Sequence, residues 1–177
     1  MSTLKVNSII PVAGVPTGGG GGIVQIQQTV ITDVKSYNAA AYAFTDVSGF
    51  NCTITPTSSS SKIMIVVGIG GIHQEAGSII GKVLRGSTDV GIGDADGNRP
   101  RCGFRMYGSA VYNGNHCGSY QFTFLDSPAT TSATTYKISF SNELNSSEFA
   151  VNRSQGDLNN IVGVRSISTL TAMEVSV

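Results

Sequence analysis

Few side chains of this chain can carry chemistry, and their spacing restricts what they can do. Histidine occurs at His73 and His116, and cysteine at Cys52, Cys102 and Cys117. Only His116 and Cys117 are neighbours. Adjacent residues of a strand point to opposite faces, so this pair is a poor thiolate–imidazole couple, and a structural or loop role is expected for both. An odd thiol count without C-x-x-C argues against a disulfide framework or a zinc ribbon, so all three cysteines read as reduced core or loop thiols. The one zinc arrangement left open is a shared site on a trimer axis, built from three copies of one histidine. Asp94, Asp96 and Asn98 alternate like the first half of a calcium loop. The second half is missing, with Arg99 where glycine and Arg105 where glutamate would stand, so a turn through Asp96-Gly97-Asn98 is expected. Glu143 and Glu148 are the acidic pair that lies close in sequence, in a Ser/Asn-rich stretch. A polysaccharide depolymerase, the distant alternative, would need such carboxylates across a groove. No catalytic residue, metal or cofactor is therefore expected, and the chain reads as a non-enzyme.

The stretch best suited to recognition is Tyr107 to Tyr120, with Tyr112, Asn113, Asn115 and His116 between them. Tyrosine offers a flat, amphipathic face, and Asn, Ser and Gly offer adaptable hydrogen bonds, which suits a host surface glycan or envelope protein. The competing reading is that Asn113-Gly114 is the type I′ turn of a hairpin flanked by core tyrosines.

The elements that must position these residues are strands. The five glycines from Gly18 to Gly22 resist incorporation into regular structure and mark a hinge; they lack the Gly-Lys-Ser/Thr of a phosphate loop. They separate an arm, residues 1–17, from a body, residues 23–177. In the arm, Leu4, Val6, Ile9, Ile10 and Pro11 form an extended apolar pattern suited to docking on another protein, the alternative being a disordered terminus. In the body, Val24, Ile26 and Val30 alternate with Gln25, Gln27 and Thr29, and Phe50, Cys52 and Ile54 alternate with Asn51, Thr53 and Thr55, as in half-buried strands. The continuous apolar run from Ile63 to Val67 predicts a strand covered on both faces. Further alternation at Phe104/Met106, Tyr120/Phe122/Phe124, Tyr136/Ile138/Phe140, Phe149/Val151 and Ile167 to Val177 gives about nine or ten strands. No window carries helical periodicity. The expected fold class is all-β, an antiparallel β-sandwich of jelly-roll type.

Charged residues make up only 12% of the chain and balance to a net charge of zero, against about 25% in an average globular protein. That leaves no footprint for a nucleic-acid backbone or an anionic membrane. So few charges also leave a free monomer poorly protected from association, so self-association is expected. No stretch reaches transmembrane length, and the first residues lack the pattern of a signal peptide, so neither membrane insertion nor secretion is expected.

Several segments carry a resemblance: Ser2-Thr-Leu-Lys-Val-Asn-Ser-Ile-Ile-Pro, the glycine run, Phe44-Thr-Asp-Val-Ser-Gly-Phe, Ile54-Thr-Pro-Thr-Ser-Ser-Ser-Ser-Lys-Ile, Leu84-Arg-Gly-Ser-Thr, Asp126-Ser-Pro, Thr134-Thr-Tyr-Lys and Met173-Glu-Val. In these the chain resembles tail-fibre and related virion appendage proteins of marine tailed bacteriophages. The resemblance implies a homotrimer in the virion, assembled in the host cytoplasm, with the arm bound to other virion proteins and a β-rich domain facing outward for host attachment. Shaft repeats are absent, so the implied object is a short fibre, spike or tip. The alternative within the particle is a head fibre or capsid decoration protein.

Overall fold

The computed structural model describes residues 22–38, 40–74, 77–108, 117–144 and 148–176. The arm, most of the glycine hinge, and Tyr112, Asn113, Asn115 and His116 lie outside the described residues. Within them the chain is all-β, with eleven strands and no helix: β1 (Ile23–Ile31), β2 (Lys35–Asn38), β3 (Thr45–Ile54), β4 (Lys62–Gln74), β5 (Gly77–Arg85), β6 (Thr88–Val90), β7 (Phe104–Gly108), β8 (Gly118–Asp126), β9 (Thr134–Asn142), β10 (Glu148–Val151) and β11 (Ser168–Val175). Two antiparallel sheets pack as a sandwich. The first runs β1-β11-β4-β10-β2 with β8 on the other side of β4; the second runs β3-β9-β5-β6 with β7 also on β5. Among the described residues no helix is long and apolar enough to cross a membrane.

Alternation fixes the inner faces. On β4, Ile63, Ile65, Val67 and Ile69 are buried while Met64, Val66, Gly68 and Gly70 are only half-buried. This corrects the expectation that β4 is covered on both faces. A continuous apolar run is compatible with either arrangement, and here, among the described residues, one side of it packs on no other element. Opposite β4 stand Phe50, Cys52 and Ile54 of β3, Ile79 and Val83 of β5, and Tyr136, Ile138 and Phe140 of β9, all in one core with Phe149, Val151, Leu170 and Ala172. An aromatic ladder continues from it: Phe104 stacks on Tyr120 at 5.4 Å and meets Phe140 edge-on at 5.6 Å, and Phe140 in turn meets Phe149 at 5.8 Å.

One end of the core is closed by polar groups in a single row of the first sheet, where Gln25 pairs with Glu174, Glu174 with Ile63, and Ile63 with Asp126. Asp126 accepts two hydrogen bonds from Arg85 Nη1, at 2.8 and 2.7 Å, and one from the Tyr136 hydroxyl at 2.7 Å. β8 is thereby fastened to β5 and β9 of the opposite sheet. Glu174 is fully buried and accepts from Gln25 Nε2 at 2.7 Å, the Thr57 amide at 2.8 Å and the Thr57 hydroxyl at 2.7 Å.

Burial alone would push the Glu174 carboxyl up, but the hydrogen bonds from Gln25, Thr57 and Ser61 together outweigh it and hold the group below the ordinary glutamate range. A carboxyl depressed in the folded state contributes stability above its unfolded pKa and loses it as pH falls through the folded value. The domain will therefore lose stability on acidification below about pH 4.3, the unfolded glutamate range. Glu174→Gln will flatten that part of the profile, measured by urea denaturation at several pH values.

The other end is organised by Asn152, which leaves β10 in the left-handed conformation at φ 70°. Its Nδ2 donates to the carbonyls of Ile31 and Asp33, each at 3.0 Å, and its Oδ1 accepts from Ser168 Oγ at 2.7 Å. Its amide donates to the Gly71 carbonyl at 2.6 Å. One buried side chain thus ties the β1–β2 corner to the start of β11, and its own amide adds β4. The connection from β10 to β11 then comes back against β4, where a Cβ on Gly70 would lie 1.9 Å from the Ile167 carbonyl oxygen. Only glycine permits that approach.

Candidate functional site

Strand register assembles a broad surface on the outer side of the first sheet. Ile26 of β1 pairs with Met173 of β11, Met173 with Met64 of β4, and Met64 with Leu125 of β8. The next row is Gln28, Thr171, Val66 and Thr123, and the next Val30, Thr169, Gly68 and Gln121. All twelve positions are uncharged. Ile26 is 55% exposed, Val30 47% and Leu125 58%. Towards the rim the first charge is Lys62, whose ammonium donates to Ser127 Oγ at 3.1 Å.

On β1 this reverses the expected sidedness. Ile26 and Val30 face outward, while Gln25 and Thr29 point inward and are held by the Thr55 and Asn51 carbonyls at 2.7 and 2.6 Å. The physical reason is register: because side chains alternate strictly, the row that places Gln25 beside Glu174 must place Ile26 beside Met173 on the other face. An alternating strand has presented its apolar set away from its own core.

The outer side of the second sheet is the opposite in character. Lys82 pairs with Asp89 at 2.8 Å and lies over the Phe44 ring at 3.9 Å; Lys137 pairs with Asp46, and Arg105 with Glu143 at 3.2 Å. Most of those groups reach water, Lys82 being the largely covered one. One sheet shows water its ions; the other shows methyl groups and amides.

Between β4, β8 and β11 the uncharged face dips into an open hollow of about 530 Å³, lined by Gly68, Ile69, Gly70, Ser119, Tyr120, Gln121, Ile167 and Thr169. Ser119 Oγ donates to the Gly70 carbonyl at 2.5 Å across it. Tyr120, expected in a recognition loop, is therefore a strand residue whose ring stacks on Phe104, and burial pushes its phenol up. Tyr107 belongs to β7, paired with Ser78. A hairpin would pair its two strands with each other, whereas β7 and β8 lie in different sheets, and Asn113-Gly114 lies outside the described residues.

The residues weighed for catalysis are separated or engaged. Glu143 lies beside the second sheet, held by Arg105, and Glu148 begins β10 in the first sheet, where Arg153 holds it. Asp96 accepts from Arg99 Nη1 at 2.7 Å beside a turn in which Gly97 has φ 57°. Among the described residues no group of three or more His, Cys, Asp or Glu is placed to hold a metal ion. Cys52 is buried and Cys102 half-buried; burial raises both thiols, for Cys52 against hydrogen bonds from the Ala172 backbone and Thr29, and for Cys102 against the charge of Arg105. Both are weak nucleophiles at neutral pH.

Sequence reasoning missed the outward face. Its signal was present in Ile26 and Val30 together with the shortage of charge, but alternation alone does not say which set faces the core. It also missed the loop between β10 and β11. There Asn160 Oδ1 accepts from the amides of Val162 at 3.0 Å and Gly163 at 3.2 Å, and a Cβ on Gly163 would lie 1.9 Å from the Leu158 carbonyl oxygen. The tip it braces presents Ile161, which is 100% exposed, with Leu158, Val162 and Val164 also exposed. Compared with known proteins, the chain matches no family model, and no curated protein matches it.

Proposed function

We propose that this protein is a non-enzymatic structural component of a bacteriophage virion, a short trimeric tail fibre or spike anchored by its N-terminal arm and involved in host attachment. The observation that carries the proposal is the contrast between the two outer faces: one sheet is ion-paired for solvent, and the other presents three uncharged rows suited to contact with protein. A domain of this composition gains solubility by assembling, and identical subunits that assemble also multiply weak contacts with a cell surface into avidity. The sheet orders supply a second support. With the short strands β2, β6 and β10 set aside, β1-β11-β4-β8 faces β3-β9-β5-β7, an eight-stranded pair of Greek keys of jelly-roll type, an architecture common in viral capsid and lectin domains. The arm's apolar residues Leu4, Val6, Ile9, Ile10 and Pro11, joined through glycines, suit a tether to another virion protein.

Labelled-antibody electron microscopy of intact particles tests this reading. Label at the tail is expected and makes host attachment the working function. Label over the head replaces it with the capsid-decoration reading, and absence of label from purified particles overturns both.

A further inference from the structure

We infer that the braced tip of the β10–β11 loop is a plug that seats in the hollow of the uncharged face of a second copy of this chain, so that each subunit gives a plug to one neighbour and receives one from the other. The inference rests on the trimeric reading above and names the contact that would hold it.

The tip is built to hold its shape. Asp157 and Arg165 pair at its base, the Asp157 amide donates to the Ser154 carbonyl at 3.3 Å, and the Val164 amide donates to Ser154 Oγ at 3.3 Å. With Asn160 fixing the turn above, Ile161 and Val162 are held apolar side outward. A solvated loop gains nothing from bracing a fully exposed isoleucine. A loop that will bury it on association does, because the ordering entropy is then already spent in the free subunit.

The occupant is chosen by charge and by area. Between Leu158 and Val164 the tip carries no charge, and neither do the residues lining the hollow. Copies can therefore meet without placing like charges together, whereas an acidic or basic partner would find nothing to pair with. Four strands about 4.8 Å apart and seven residues long at about 3.3 Å each give a patch of roughly 400–450 Å². That is about half of the roughly 800 Å² that a standard-size interface takes from each partner, and in a trimer each subunit makes two such contacts, one through its tip and one through this patch. In the trimer each subunit's plug meets one neighbour and its hollow the other, a heterologous contact that closes into a ring when the rotation between copies closes. Ile167 lines the hollow and follows the tip in sequence, so plug and hollow lie close together on one chain.

The test uses the full chain at micromolar concentration, with mass read by light scattering after size exclusion. Wild type is expected at three times the subunit mass. Ile161→Asp is expected to weaken association at least tenfold, with an unchanged circular dichroism spectrum, because a residue wholly in solvent gives up no core packing. Thr53→Asp, on the outer side of the second sheet, controls for added charge and leaves the trimer intact. A double variant, Ile161→Cys with Gln121→Cys, is expected to give intersubunit disulfides on mild oxidation that neither single variant gives. A trimer indifferent to Ile161→Asp and without the disulfide overturns the plug while the trimeric reading stands. A monomeric wild type overturns both, and particle labelling still decides the place in the virion.

Discussion

Replacing Asp126 with alanine will destabilise the domain by about 2–4 kcal/mol, because removing the buried partner of a half-buried ion pair leaves the other charge uncompensated. Asp126 is only 9% exposed, and its carboxylate takes both hydrogen bonds from Arg85 and the one from Tyr136. Without it, a guanidinium is left without its counter-ion and a buried phenol without an acceptor. Burial, and then the neighbouring Asp126 carboxylate, push the Tyr136 phenol far above its ordinary range, so the hydroxyl remains a donor throughout the working pH range. Tyr136→Phe removes the hydrogen bond but keeps the ring in the core, and costs about 1 kcal/mol. The double variant Asp126→Ala/Tyr136→Phe will cost less than the sum of the two, since the phenol's lost acceptor is counted only once. Urea midpoints at constant slope measure all three. An Asp126→Ala loss below about 1 kcal/mol would show that Arg85 finds water or another acceptor, and that the two sheets do not depend on this bridge.

Asn152→Ala is the second large loss, at about 3–4 kcal/mol. The Ile31 carbonyl loses its donor and Ser168 its acceptor, both in buried residues and worth about 1 kcal/mol each, while Asp33 is exposed and its carbonyl turns to water instead. Alanine at φ 70° adds roughly 1–2 kcal/mol of left-handed strain that asparagine tolerates better. Asn152→Gly separates the contributions: it loses the same hydrogen bonds without the strain, and will be more stable than Asn152→Ala by about 1 kcal/mol. If the two variants unfold at the same midpoint, the backbone there has relaxed and strain plays no part. Amide exchange locates the damage, with protection falling first at the β1–β2 corner and at the start of β11.

How far the sequence revealed these features depended on how local their causes are. Strands such as β3, β8 and β9 were legible because Phe50/Cys52/Ile54, Tyr120/Phe122/Phe124 and Tyr136/Ile138/Phe140 alternate within a few residues and point inward as alternation suggests. The turn between β5 and β6 has an equally local cause, since Arg85-Gly86-Ser87-Thr88 stands between the apolar positions Val83/Leu84 and Val90/Ile92, and Gly86 has φ 61°. What alternation could not decide was the side. Gln25 and Glu174 face inward because they close the end of a core made of strands distant in sequence, and that turned Ile26 and Val30 outward. The short strands β2 and β6 have too few residues to show a period. Asn152 looked like any loop asparagine, since its role arises from carbonyls over 100 positions away. The plug was invisible for the opposite reason: exposed Ile161 and Val162 read as core-facing residues until the backbone around them is known.

Pairing at the two ends of the described chain has a consequence for when this protein can fold. Gly22 and Ser176, 154 positions apart, are hydrogen-bonded, and β11 lies between β1 and β4. Until the ribosome has released β11, the first sheet is missing an interior strand, and β1 has no partner in it. Such long-range closure is slow, on the order of milliseconds to seconds, because the loop entropy is spent before the contacts form. The uncharged rows take Thr169, Thr171 and Met173 from that same strand, so the outer face of the first sheet does not exist until β11 has joined β1 to β4.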